Sequence, residues 1–169
     1  MAEQTLSRPT RRQLSLFLPE PQRSFVEPIR QRLDPIQHAL IPAHVTLCRH
    51  EELPELQQLV RRLERLEPFS ITMKFGAPQE LPDGCVLLRP SLGAEAFHAL
   101  RQLLLGKSAR AYGAHLTLLH PRNASGAIPD LADISRELAD LVVPFNTISL
   151  IEQYGSDPWH VKGAYGPAI

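Results

Sequence analysis

The feature that most constrains this chain is a short segment that occurs twice. IPAHVTLCRH at 41–50 and YGAHLTLLHP at 111–120 share Ala-His-[Val/Leu]-Thr-Leu in one register, with the histidines 71 positions apart. Both read as strands, in which side chains point alternately to opposite faces. His44 and Thr46 therefore share one face while Val45 and Leu47 share the other, and His115 and Thr117 stand likewise against Leu116 and Leu118. Each strand offers an apolar face to a core and an imidazole with a hydroxyl to the opposite side. One His-x-Thr alone usually marks a structural histidine at a strand end. Two copies, in the same frame and at similar places in two half-chains, favour a shared chemistry.

The flanking pattern supports a repeated order of elements. Residues 1–11 are polar and are expected to form a flexible tail, leaving 12–169 as one domain. Gln13–Leu18 reads as a strand ended by Pro19. Phe25, Ile29 and Leu33 fall at helical spacing, with Pro28 expected to kink or restart that helix. Leu56, Leu59, Val60, Leu63 and Leu66 form one helical stripe, with Pro54 near its first turn. Phe69–Phe75 alternates as a half-buried strand should, Gly76 to Gly84 reads as a loop, and Cys85–Arg89 as a further strand. Phe97, Leu100 and Leu104 mark a helix closed near Gly106.

After the second His-x-Thr strand comes a loop rich in Asn, Ser, Gly and Pro, then a helix carrying Leu131, Ile134, Leu138 and Leu141. Strands over Phe145–Glu152 and Trp159–Lys162 close the chain. The expected architecture is α+β and bilobal. Two pseudo-twofold-related lobes of mainly antiparallel sheet would carry helices outside and a central cleft between them.

Composition limits the partners. Eighteen basic residues balance eighteen acidic ones in 169 residues, so bulk attraction to a long nucleic acid is not expected. A local site for one phosphate remains open, and fifteen of the eighteen cations are Arg, which suits forked contacts to phosphates or carboxylates. Cys48 and Cys85 form no C-x-x-C, so spacing suggests neither zinc nor a redox pair. MAEQTLSRPTRR lacks the apolar core of a signal peptide, and no run reaches membrane-spanning length. A reduced, cytoplasmic monomer without membrane contact or obligate protein partner is the expectation.

If the two halves face each other, two imidazoles and two hydroxyls line one cleft. Opening a cyclic phosphodiester needs one group to deprotonate the attacking water and another to protonate the leaving ribose oxygen. Histidine serves either role near neutral pH, so a neutral and a charged ring together give a bell-shaped pH profile. The Thr46 and Thr117 hydroxyls can hold the non-bridging oxygens. No metal and no cofactor is expected. Two zinc alternatives, His44 with Cys48 and His50, or His115 with His120, match no common zinc frame. His38, His98 and His160 show no partner pattern. Phe17, Tyr112, Tyr154 and Trp159 could stack on a base, but core packing is the plainer expectation for each.

HVTL at 44–47 and HLTL at 115–118, with FSITMKF-turn-CVLLRP and FNTISLIEQYG…WHVKGAYG, resemble the two-histidine phosphoesterase superfamily. That group includes 2′-5′ RNA ligase-like proteins and cyclic phosphodiesterases, and the resemblance spans about residues 12–165. It implies a bilobal fold with a cleft, His44 and His115 as acid and base, and Thr46 and Thr117 as phosphate contacts. The implied activity is metal-independent hydrolysis of a 2′,3′-cyclic phosphate at an RNA end or on a small nucleotide. Action on linear 2′-5′ linkages, or binding of an RNA end or nucleotide without turnover, are the alternatives. Family members also carry a basic residue after the signature. Arg49 fits after the first, although strict alternation turns it away from the cleft; after the second, His120 stands there with Arg122 close behind.

Overall fold

The computed structural model describes residues 8–127 and 129–167. Part of the expected tail, 1–7, lies outside the described residues. The first strand, β1 (Thr10–Phe17), opens three residues ahead of the expected start at Gln13. Next come α1 (Gln22–Leu33), α2 (Pro35–Leu40), β2 (His44–Cys48), α3 (Leu56–Glu64), β3 (Ile71–Phe75), β4 (Gln79–Glu80), β5 (Val86–Leu88) and β6 (Pro90–Leu92). The chain continues through α4 (Ala94–Leu105), β7 (Leu116–Leu119), α5 (Leu131–Glu137), β8 (Val142–Phe145), β9 (Ile148–Tyr154) and β10 (His160–Tyr165).

The strands form a seven-stranded sheet in the order β10-β9-β1-β2-β7-β5-β4 and a three-stranded sheet in the order β6-β3-β8. Every strand pairing among the described residues is antiparallel. The expected α+β class with mainly antiparallel sheet is what the chain adopts. The two His-x-Thr strands, however, do not face each other from separate sheets: β2 and β7 are neighbours in the large sheet, joined at Val45↔Leu116.

One face of that pair is wholly apolar. Val45, Leu47, Leu116 and Leu118 are at most 1% exposed and share a core with Val26 and Ile29 of α1 and Phe97, Leu100 and Leu104 of α4. Burial of each such side chain contributes about 1.5–3 kcal/mol, and together they fix which face of β2 and β7 is left for chemistry. Helix α4 touches both β2 and β3, so it packs on both sheets. Its approach is tight at Gly93 (φ 94°), where a Cβ would lie 2.4 Å from the Thr72 carbonyl oxygen. Only glycine fits that corner.

Several elements differ from expectation for identifiable reasons. Pro28 does not restart α1 but sits inside it, giving up one N–H bond. The restart comes at Asp34, whose side chain caps α2 by accepting the Gln37 N–H (2.9 Å). The buried face of α1 is Val26, Ile29 and Arg30, with Phe25 57% exposed, so the apolar stripe is turned by one residue. Helix α3 ends at Glu64, and Pro54 precedes its Glu55 cap.

The hairpin of Phe69–Phe75 with Cys85–Arg89 that the family resemblance of FSITMKF-turn-CVLLRP implies does not form. Strand β3 pairs with β6, whereas β5 joins the large sheet beside β7, the chain crossing between sheets at Arg89. Phe145–Glu152 divides likewise: Phe145 ends β8 in the small sheet, and β9 begins at Ile148 in the large one. The loop after Gly76 holds the short β4.

Candidate active site

Extending the β2–β7 register one step each way from Val45↔Leu116 sets His44 opposite Thr117 and Thr46 opposite His115. Each imidazole thus lies across from the hydroxyl of the other motif, and the two histidines are diagonal neighbours, about 7–8 Å apart at their backbones. All four side chains line one cleft of about 740 Å³ on the polar face of the sheet.

The two rings are held in the same way. His44 Nδ1 lies 2.8 Å from the Pro42 carbonyl oxygen and His115 Nδ1 lies 3.2 Å from that of Gly113, in both cases two residues upstream. A carbonyl only accepts, so Nδ1 carries the proton in each ring and Nε2 of the neutral ring is bare. The outer histidines of the cleft show the opposite pattern. His50 Nδ1 accepts the Arg12 backbone N–H at 2.9 Å and His120 Nδ1 accepts that of Arg122 at 3.2 Å, leaving Nε2–H as their donor.

Burial pushes the His44 imidazole down to about 4, the Pro42 carbonyl opposing that shift and the positive fields of Arg30 and His115 adding to it. His115 is also lowered, again by burial first, with the Gly113 carbonyl opposing and Arg49 and Arg89 adding to the shift. Both rings are thus neutral at pH 7 in the free protein. An anion placed between them would raise both.

The Thr46 hydroxyl is prepared to donate. Gln13 Nε2 lies 3.4 Å from Thr46 Oγ1 and 2.8 Å from Ser15 Oγ, so the amide occupies an acceptor site on Thr46 and leaves its proton for the cleft. Arg49 does enter the cleft, because β2 ends at Cys48 and the chain turns into a short 3₁₀ segment at His50–Glu52. Its guanidinium lies 4.0 Å from the Tyr112 ring centroid, and Tyr112 meets His115 edge-on at 5.7 Å. Five guanidiniums, those of Arg11, Arg30, Arg49, Arg89 and Arg122, line the cleft against the carboxylates of Glu51 and Asp83. A chain with no net charge therefore concentrates positive potential where the histidines stand.

Sequence reasoning missed Gln13, Arg11 and Arg89, which carry no motif. Of the four aromatic residues, Tyr112 and Trp159 line the cleft rather than only the core, with Arg11 5.5 Å from the Trp159 ring centroid. Phe17 packs edge-on to His44, and Tyr154 bonds Glu152 instead. His38 has a partner after all, Glu27 at 3.2 Å.

Burial pushes the Cys48 thiol up to about 12 and the Cys85 thiol to about 11, so neither presents a thiolate at neutral pH. Among the described residues, no three His, Cys, Asp or Glu side chains gather as a metal site requires. No helix among them is long and apolar enough to cross a membrane.

Paired His and Thr side chains on adjacent antiparallel strands, opening on a basic cleft, define the class of a two-histidine phosphoesterase. The chain belongs to the 2′-5′ RNA ligase superfamily, whose family profile matches residues 18–157. Among solved structures, E. coli LigT complexed with phosphate is 17% identical with a TM-score of 0.63, covering 95% of this chain and 98% of that one. E. coli LigT complexed with 3′-AMP is 17% identical with a TM-score of 0.64, covering 95% and 99%. The crystal structure of a phosphoesterase is 17% identical with a TM-score of 0.64, covering 95% and 100%. At this identity the likeness is one of fold. No curated protein sequence matches.

Proposed function

We propose that the protein hydrolyses a cyclic phosphodiester, a 2′,3′-cyclic phosphate at an RNA end or on a small nucleotide, with His44 as base and His115 as acid. One observation carries this reading: two imidazoles with the same Nδ1–H···O=C anchor and bare Nε2 atoms share one basic cleft. His44, pushed down to about 4 by burial, is neutral at pH 7 and suited to remove a proton. Water attacks phosphorus as His44 Nε2 takes its proton. The bond from phosphorus to one ribose oxygen breaks, and protonated His115 delivers a proton to that oxygen. Exchange with solvent resets both rings. Thr46 and Thr117 donate to the non-bridging oxygens as charge builds on them.

The complexes of E. coli LigT with phosphate and 3′-AMP support a phosphate-bearing nucleotide as ligand. A second reading, cleavage or joining of linear 2′-5′ linkages, is favoured by the family's description. Incubation with a panel of 2′,3′-cyclic nucleotides, cyclic-phosphate oligonucleotides and 2′-5′ dinucleotides in EDTA, with product analysis, separates the two. Turnover is expected to survive the chelator and to be lost in His44→Ala and His115→Ala. Full activity in either variant, or activity abolished by EDTA, counts decisively against the proposal.

A further inference from the structure

The cleft rests on an ion pair that does not open into it. Arg101 of α4 is 1% exposed and Glu52, in the turn after β2, is 6% exposed. The guanidinium grips the carboxylate as a fork, Nη2 to Oε1 at 2.5 Å and Nη1 to Oε2 at 3.0 Å. The same two nitrogens donate to the Leu47 carbonyl (2.6 Å) and to the Arg110 carbonyl (2.9 Å). Glu52 Oε2 in turn accepts the backbone N–H of Arg49 (2.9 Å). The pair therefore ties the exit of β2 to the approach of β7: residue 49 carries one of the groups that flank the histidines, and residue 110 lies two positions before the other, Tyr112. The Arg101 guanidinium also lies 4.8 Å from the Tyr112 ring centroid.

We propose that Arg101 and Glu52 are positioning residues: together they hold Arg49 and Tyr112 against Thr46 and His115, without touching substrate. This rests on the phosphodiesterase reading for its kinetic consequence only. Lone buried ion pairs are weak sources of stability, because desolvation offsets most of the attraction. Here the fork instead satisfies two backbone carbonyls and, through Glu52, one backbone N–H. The groups facing His115 are Arg49 after β2, Arg89 after β5, His44 on β2 and Tyr112 on its own approach segment. Of these, Arg49 and Tyr112 are the two the pair controls, so releasing it should withdraw positive potential and cover from His115 alone.

The test compares wild type, Arg101→Lys, which keeps a cation but loses the fork, and the apolar double variant Arg101→Met/Glu52→Leu. Thermal melting establishes that each is folded. Turnover of a 2′,3′-cyclic nucleotide is measured beside an NMR pH titration of the His115 ring. The expected result is folded protein with kcat lowered by about 10²-fold, a much smaller change in KM, and a His115 titration moved up toward 6.5. Folded variants with wild-type kcat and an unmoved titration would overturn the proposal, as would a fall in kcat with His115 unmoved. If the double variant does not fold, Arg101→Lys decides by the same readouts. A wild-type protein that turns over no cyclic phosphate would sink the functional reading, while the His115 titration would still decide this one.

Discussion

Replacing Arg49 by Gln should raise the pKa of His115 and leave that of His44 nearly fixed. The guanidinium lies 4.0 Å from the Tyr112 ring centroid and that ring 5.7 Å from His115, so the charge and the imidazole are at most 9.7 Å apart. At that distance two unit charges interact by about 0.4 kcal/mol in a fully aqueous dielectric and about 1.7 kcal/mol at an effective value near 20. At 1.36 kcal/mol per pH unit, this predicts an upward movement of about 0.3 to 1.3 pH units. With His115 as acid, activity requires its charged form, so the affected limb is the alkaline one. Activity lost as pH rises should persist to higher pH in the variant. The assay is kcat/KM against pH in EDTA at low, constant ionic strength, since about 0.1 M salt screens charges over roughly 10 Å. An alkaline limb that stays put or moves down refutes the electrostatic argument, and movement of the acid limb instead would reverse the roles assigned to the two rings.

Other consequences are as direct. Because both histidines are depressed in the free protein, the kcat/KM optimum should lie on the acid side of 6.5, while the kcat optimum, reporting the complex with a bound anion, should lie at higher pH. Coincident profiles would contradict this. Thr46→Val and Thr117→Val, which keep shape and remove the hydroxyl, should each lower kcat by about 10²-fold, read from steady-state kinetics beside an unchanged melting temperature. Leu116→Ala, at a fully buried position between the two motifs, should cost about 2–5 kcal/mol in urea unfolding. A loss below 1 kcal/mol would mean the site refills with neighbouring side chains.

The residues of the cleft were legible in the sequence wherever strand alternation alone decides direction. His44, Thr46, His115 and Thr117 needed only the period of two, and the apolar residues between them supplied the opposite face. Which strands are neighbours is a different kind of information. Nothing in the local pattern of Val45 or Leu116 states that they pair, so the sequence does not show that the two His-x-Thr strands lie side by side in one sheet. Strand crossings were hidden for the same reason: Val86–Leu88 and Pro90–Leu92 look like one run, yet Arg89 separates two sheets. Alternation turns Arg49 away from the cleft because it assumes that the strand continues, whereas β2 stops at Cys48. Charged core residues were the least readable of all. Arg101 sits amid Phe97, Leu100 and Leu104 on the helical stripe, and only its partner Glu52, 49 residues away, explains its burial.

The ladder between β2 and β7 has a mechanical meaning. Residues on adjacent hydrogen-bonded strands are held by the ladder itself, the two histidines as diagonal neighbours about 7–8 Å apart at their backbones, and that interval does not change as domains rotate or loops close. The two rings behave as the fixed jaws of a gauge: they are set to one span when the chain folds, not drawn together at each turnover, and a phosphoryl centre either fits between them or is left unreacted.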